Sequence, residues 1–493
     1  WVIADSAGNS TSVVIQVEPP DQVDAVAQVL EHGRGLFVFS VNESADRVEW
    51  NLDTDARDTV LFWFDTGAPG AGTRPVGEGG LARAISGRSE VVVAGTPAAP
   101  AIAYALNEEA EGGFSFNVSP TFADTDSADD IVVIYQTATN NETFPDGGVA
   151  VDPTQLVGSD TRVAFVAVES ANGVGIESDF NEDGDFNDDV PHWLDLADPA
   201  EALSCGIASV REYCSLSVAA EYMVFVASEE DHGPFGTNFN AHATRVVSDE
   251  YVGVDDIDYD DGVAHFYDLS TPGIPPVNLK IATGQIVATD DFFFLLGDEA
   301  SQSADLNGVN IGTDEMVPIY YRVVGNMISS DPAPLPLDGV FQREFQRGQS
   351  SYLVPTSDTI IMGLFTIQQG TDWVRVHANV NETVIANPGG EVSLTKDAND
   401  DGDFDDWYYQ TSLLNFSTGR VEAKNDMGIA AGTGELIGLD RTIYTTPWVI
   451  VLRGTNGSVW SYDELADGSG FNYNPDSGDV DNLDFVFQGL IVP

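Results

Sequence analysis

Two stretches, DFNEDGDFNDDVPHWLDL (179–196) and DANDDGDFDDWYYQTSLL (397–414), set acidic and amide side chains at alternate positions around a glycine and run directly into an apolar, β-prone segment. Asp179, Asn181, Asp183, Asp185 and Asp188 of the first match Asp397, Asn399, Asp401, Asp403 and Asp406 of the second. Looser copies are NLDTDARDTVLFWFD (51–65), ADTDSADDIVVIYQ (123–136), DDIDYDDGVAHFYDL (255–269), DLNGVNIGTDEMVPIYY (305–321) and NYNPDSGDVDNLDFVF (472–487). The apolar runs begin near Val60, Ile131, Val190, Val263, Met316, Tyr408 and Leu483, so the same unit is repeated seven times at irregular spacing. A repeat of this kind constrains the fold more than any single motif, because one unit cannot bury both faces of its sheet by itself.

A second recurring piece precedes each loop. GLFVFSVNE, AIAYALNEE, RVAFVAVES, YMVFVASEE and FFFLLGDE are apolar runs that end in an acid, and IIMGLFTIQQ and TPWVIVLRG follow the pattern more loosely. Each unit therefore reads as strand, acidic loop, strand, with weaker strands such as CSLSVAA and SEVVVAG between units. No long amphipathic helix interrupts them. About four short strands per unit predict an all-β chain, a seven-bladed β-propeller over residues 21–493 with the acidic loops between blade strands. Eight blades or stacked sandwiches also accommodate the irregular period. The last unit, ending in DFVFQGLIVP, lacks an outer strand that TSVVIQVE (11–18) can supply by closing the ring. The opening WVIADSAGNSTSVVIQVEPP also resembles the final strands of an immunoglobulin-like, hyaline-repeat-type domain. That resemblance implies a stump of another domain, or a strand donated to a neighbour.

Charge narrows the partners. The chain carries 80 acidic residues against 19 basic ones, a net charge of −61, and its only lysines are Lys280, Lys396 and Lys424. A hydrophobic content of 43% is nonetheless enough for a core. Nucleic acid is excluded, since phosphate backbones require basic surfaces, and anionic membranes are disfavoured. Divalent cations, salt or cationic partners are left as the natural company of such a surface.

Alternate side chains around a tight turn converge on one point, as oxygen ligands do around Ca2+. In 179–189 the expected ligands are Asp179, Asn181 and Asp183, with the turn at Gly184, a backbone carbonyl at Asp185, and Asp188 or Asp189 closing the shell. Equivalent sets are Asn51, Asp53, Asp55 and Asp58; Asp256, Asp258 and Asp261; Asp305, Asn307 and Asp314; and Asn472, Asn474, Asp476 and Asp481. For Asp124, Asp126, Asp129 and Asp130 a solvated loop serves as well. Two carboxylates about 4 Å apart repel by about 4 kcal/mol at an effective dielectric of 20, a term that a divalent cation reverses. Mg2+ suits such crowded carboxylates poorly. The motif resembles the calcium loops of EF-hands, dockerins, thrombospondin type 3 repeats and integrin α-subunit propellers, over about a dozen residues per copy. It departs from the EF-hand at the closing position, where Val190 or Tyr408 stands in place of a bidentate glutamate, and flanking helices are absent. An acid from the preceding strand end, such as Glu169, would fill that gap.

Signals for catalysis are weak. Nucleophile elbows, metalloprotease helices and phosphate loops are missing, and His192 and His265 occupy equivalent unit positions, as structural residues would. Trp50, Trp63, Trp193, Trp373 and Trp407 lie in or beside repeat strands and read as packing residues. Cys205 and Cys214 suggest a short disulfide loop and an oxidising compartment. Sequons at Asn9, Asn42, Asn117, Asn141, Asn381, Asn415 and Asn456 permit glycosylation. The abrupt start at Trp1 suggests a processed or truncated N-terminus. No apolar run reaches the roughly 18 residues of a membrane-spanning helix. The expectation is an extracellular or cell-surface calcium-binding structural, adhesion or filament-forming component, self-associating or binding other surface proteins. The alternative is a carbohydrate-binding or carbohydrate-active propeller with its site in the central funnel.

Overall fold

The apolar strands alternate their side chains between two buried faces, which is what stacked sheets require. A computed structural model describes residues 35–328 except 47, 54, 56, 66–71, 88, 118–125, 174–177, 211–214, 234, 242–257, 289–291, 303–305, 307–315 and 325. Outside that span it describes only the backbone of strand segments.

Consecutive antiparallel meanders make up the described chain. The first joins Val26–Gly33, Leu36–Asn42, Thr59–Asp65 and Thr73–Pro75. The second joins Val91–Thr96, Ala99–Asn107, Asp130–Gln136 and Asn141–Thr143. The third is a four-stranded sheet of Val151–Gly158, Arg162–Val168, Asp189–Asp195 and Asp198–Ser204. The fourth runs Leu216–Val218, Tyr222–Ser228, Gly262–Asp268 and the first half of Val277–Ala288. The second half of that long strand opens the fifth, with Phe292–Asp298, Met316–Val324 and Met327–Ile328. Every expected strand–loop–strand pair in this span forms at the expected place.

The meanders share cores face to face, and Ala84–Ile85 also joins the first two edge to edge by pairing with Thr59–Asp65 and Ala99–Asn107. In Arg162–Val168, Val163, Phe165 and Ala167 pack with Ala103, Ile134 and other residues of the second meander. Ala164 and Val166 point the other way, into a core shared with Met223, Phe225 and Tyr267 of the fourth. The same sharing joins Val38 and Trp63 to Ile102 and Tyr104, and Val224 and Phe266 to Phe293 and Ile319. A sheet buried on both faces explains why these strands are continuously apolar. Successive four-stranded blades with shared cores are an all-β propeller architecture. Trp63 and Trp193 are core residues, as expected, and Trp50 packs edge-on against Phe62.

Beyond this span, Trp407–Asn415 pairs with Trp373–Asn381 rather than with the expected IIMGLFTIQQ, whose segments Thr359–Ile361 and Thr366–Gln368 pair with each other. Gly363 weakens the expected strand, whereas WVRVHANVN is uninterrupted and is followed by Glu382, matching the VNE that ends the first such strand at Glu43. Near the N-terminus Ile3–Ala4 pairs with Ser10–Thr11. Residues 12–25 and 473–493, on which ring closure depends, lie outside the described residues.

The expected disulfide is not formed. Cys205 is a free thiol packed in the core with Trp193, Leu216 and Phe225, and burial pushes its pKa up; Cys214 lies outside the described residues. Cys205 is therefore expected to resist alkylation in the folded protein and to react only after denaturation, with reductant leaving the melting temperature unchanged. Fast labelling without denaturant contradicts this. The sequon at Asn117 is closed to glycan, since the side chain is fully buried and hydrogen-bonded. Among the described residues no helix is long and apolar enough to cross a membrane.

Candidate metal centres

The acid that ends each inner strand turns inward. Glu43, Glu108, Glu169, Glu229 and Glu299 all stand one residue past their strands, and all are buried. Each accepts, through Oε1, the backbone N–H of a large apolar residue in the following loop: Trp50, Phe116, Phe180, Phe239 and Leu306 respectively. The glutamate backbone N–H in turn donates to the carbonyl of the loop's last aspartate, Asp58, Asp129, Asp188 or Asp261, at 2.9–3.0 Å. An asparagine follows the apolar residue, and its amide donates to that aspartate's carboxylate. The pairs are Asn51 to Asp58 (3.4 Å), Asn117 to Asp129 (3.1 Å), Asn181 to Asp188 (2.6 Å) and Asn240 to Asp261 (2.9 Å). One constellation of Glu, Asn and Asp thus recurs in four successive blades.

Three of these loops gather carboxylates tightly enough for one ion. Asp53, Asp55 and Asp58 in the first blade, Glu169, Asp185 and Asp188 in the third, and Glu229, Asp258 and Asp261 in the fourth each bring oxygens within 4.8 Å of one another. The third-blade loop folds around its own acidic side chains. Asp183 N–H and Gly184 N–H donate to Asp179, Asp185 N–H to Asp183, and Asn187 N–H to Asp185, wrapping the backbone around the acidic side chains. Gly184 takes φ 101, a value that strains other residues, and Glu182 (φ 59) and Leu52 (φ 62) take the left-handed conformation at the same position after Asn181 and Asn51. The degenerate first-blade loop therefore keeps the geometry of the third even with leucine in place of an acid.

Burial first, and mutual repulsion second, hold these carboxyls above their ordinary range. Burial, then the charges of Asp183, Glu169 and Asp185, raise the Asp188 pKa to about 8 against the opposing hydrogen bond from Asn181. Burial lifts Glu169 to about 7, and burial with Asp53 and Asp55 lifts Asp58 to about 7. Burial also raises Glu43. Clustered carboxylates form an all-oxygen donor set, which suits a hard divalent cation.

The expected residues divide as follows. Asp53, Asp55, Asp58, Asp185, Asp188, Asp258 and Asp261 come together; Asp179, Asn181 and Asp183 hold the loop around them. Asp188 rather than Asp189 closes the third-blade cluster, since Asp189 already begins the strand. Asp256, Asp305, Asn307, Asp314, Asp397, Asn399, Asp401, Asp403, Asp406, Asn474, Asp476 and Asp481 lie outside the described residues, and of Asn472 only the backbone is described. Sequence reasoning expected an acid from the preceding strand end and named only Glu169, leaving Glu43 and Glu229 unnamed, and it missed Asn117 and Asn240 as loop residues. Insertions in the second and fourth loops displaced the asparagine from its alternate spacing; the aromatic–asparagine pair after each strand-end glutamate was the signal.

His192 and His265 lie beneath these loops, buried. Each holds a backbone carbonyl two residues back with Nδ1, stacks on Phe165 or Phe225, and meets Phe180 or Phe239 edge-on. Burial depresses both to a pKa of about 4. A depressed histidine stays neutral when folded, so its contribution is complete above about pH 6.5 and is lost as pH falls toward 4. Replacing both with Phe is expected to flatten the loss of stability over that interval; an unchanged slope in urea titrations at several pH values contradicts the assignment.

No protein-family model and no curated protein matches the chain. Solved structures similar to it include the β-propeller domain of the Trilobed protease from Pyrococcus furiosus (9% identity, 92% of this chain and 99% of that one, TM-score 0.34). TolB from Acinetobacter baumannii (10% identity, 82% and 73%, TM-score 0.28) and the tricorn protease (11% identity, 91% and 48%, TM-score 0.26) are others. At this level of likeness none of them transfers an activity.

Proposed function

We propose that this chain is a calcium-stapled, seven-bladed β-propeller that works at the cell surface or outside the cell, as a structural, adhesion or filament-forming component. The observation that carries the reading is the recurrence of one Glu–Asn–Asp constellation, with three-carboxylate groups in the first, third and fourth blades. Asp53, Asp55 and Asp58, then Glu169, Asp185 and Asp188, then Glu229, Asp258 and Asp261 would hold the ions. Bound Ca2+ would supply the charge that lets these side chains ionise together.

Action through surfaces draws on a second feature. Leu52, Phe114, Phe235 and Tyr259 are exposed at 63%, 66%, 93% and 51%, and all four sit in the acidic loops. Those loops join corresponding strands of their blades, so they present apolar knobs among carboxylates on one face, a mixture suited to protein contact. Light scattering of the full chain with Ca2+ and with chelator tests the reading: reversible, calcium-dependent assembly, alone or with an extracellular extract, is expected. A second reading, carbohydrate binding, rests on the exposed rings Phe114, Phe235 and Tyr259. Retention on polysaccharide columns with no calcium-dependent assembly selects it over the first.

A further inference from the structure

Cation sites on surface loops normally act alone, but here each loop is tied to the blade that follows it. The Asn51 amide that reaches Asp58 also donates to the carbonyl of Ala110 at 3.0 Å, and Asn117 does the same to Ala171 at 3.2 Å. Ala110 and Ala171 stand two residues past Glu108 and Glu169, in the turns that hold the next blade's constellation. In the third blade Asp183 performs the task, accepting the N–H of Gly233 at 2.8 Å in the turn after Glu229. The handover thus runs in one direction, from the loop of one blade to the glutamate turn of the next, at three successive interfaces.

The glutamate itself points to an ion. Glu43 is fully buried, its Oε1 is taken by the N–H groups of Trp50 and Asn51, and its Oε2 has no hydrogen-bond partner. Asp53 acts on it electrostatically, and its counterparts Glu169 and Glu229 bring an oxygen to within 4.8 Å of the paired aspartates of their loops. In the third blade the second oxygen, Glu169 Oε2, accepts the N–H of Asp188 at 3.2 Å while the carboxylate sits with Asp185 and Asp188, and a buried carboxylate among other carboxylates is a costly arrangement unless a cation completes it. It also supplies the closing acid that the linear loop pattern lacks at Val190.

Resting on the calcium reading above, we propose that each cation is seated on the buried strand-end glutamate, Glu43, Glu169 or Glu229, and that seating it orders the next blade's glutamate turn, so the sites fill cooperatively. An ion that fixes Asp183 fixes the Gly233 turn, and with it the turn that presents Glu229 to its own ion. Binding at one site thereby lowers the ordering cost at the next, which is positive coupling without direct contact between ions.

Two measurements on the full chain test this. In calcium titration by calorimetry the wild type is expected to show a Hill coefficient above one. Glu169→Gln, which keeps an acceptor for Phe180 N–H and gives up the one for Asp188 N–H, should lose one ion and weaken the next site at least about fivefold. Asp185→Asn, at the outer edge of the same seat, should do likewise. Remaining sites that bind with unchanged affinity and no cooperativity overturn the coupling while leaving calcium binding intact; a wild type that binds no calcium overturns the functional reading itself. The seat is tested with terbium, whose luminescence is sensitised by Trp50 beside the first site. Glu43→Gln should abolish that emission, and emission equal to wild type removes Glu43 from the ligand set.

Discussion

Chelation is expected to destabilise this protein steeply at about pH 8 and far less at about pH 5. Asp188, Asp58 and Glu169 have folded pKa values raised to about 8, 7 and 7. Without a cation the folded chain keeps protons that the unfolded chain has released, so stability falls as pH rises from about 4 toward 8. The buried histidines oppose this at the acid end, because their depressed pKa values cost stability as pH falls from about 6.5 to 4. The metal-free protein should therefore be most stable in mild acid. Ca2+ is expected to replace the retained protons, remove the alkaline slope, and at a hundredfold excess over Kd add about 2.7 kcal/mol per ion. Thermal melts across pH, with EDTA and with millimolar Ca2+, check this. Superimposable curves, or an apo protein that is most stable at pH 8, contradict it.

The second large effect is expected at Arg83. Its guanidinium reaches between the first two blades to clasp Glu142 through Nε and Nη2 (2.9 and 2.7 Å) and Glu111 through Nη1 (3.0 Å). Tyr104 also donates to Glu142 at 2.7 Å, and both glutamates are almost wholly buried. Burial works against all of these charges, yet the pairing with Glu142 keeps Arg83 protonated, and the arginine holds Glu142 below the usual carboxylate range. Arg83→Met leaves two buried carboxylates without their cation and should cost about 3–5 kcal/mol. Arg83→Lys should recover only part, because an ammonium cannot reproduce the bidentate clasp. Adding Glu142→Gln and Glu111→Gln to Arg83→Met should restore stability by removing the orphaned charge. Urea midpoints for the series test the account; a loss of less than about 1 kcal/mol in Arg83→Met would place this pair among surface ion pairs instead.

The strands were readable in the sequence because sheets buried on both faces need unbroken apolar runs, and RVAFVAV or YMVFVAS can satisfy little else. The loop anchors were readable for a related reason: Val60, Val190 and Val263 each follow directly on the first residue of their strands. Half of the constellation was not. The strand-ending acid was expected at Glu169, and the fold shows that Glu43 and Glu229 are buried in the same way and bonded to their loops. Asn240 is separated from Asp261 by an insertion, so local spacing carries no trace of their hydrogen bond. The disulfide was inferred from two cysteines nearby in sequence, whereas Cys205 is claimed by apolar packing around Trp193. The strand before Trp407 was misplaced because raw hydrophobicity favoured IIMGLF over the polar-alternating WVRVHANVN.

Counting ions decides the matter most directly. The chain desalted in Ca2+ and analysed for metal should carry three more calcium ions than the variant Asp58→Asn/Asp188→Asn/Asp261→Asn, one for each cluster of carboxylates. Equal calcium content in the two proteins, both folded by circular dichroism, would leave the repeated aspartates as solvated loops and remove the basis of the account.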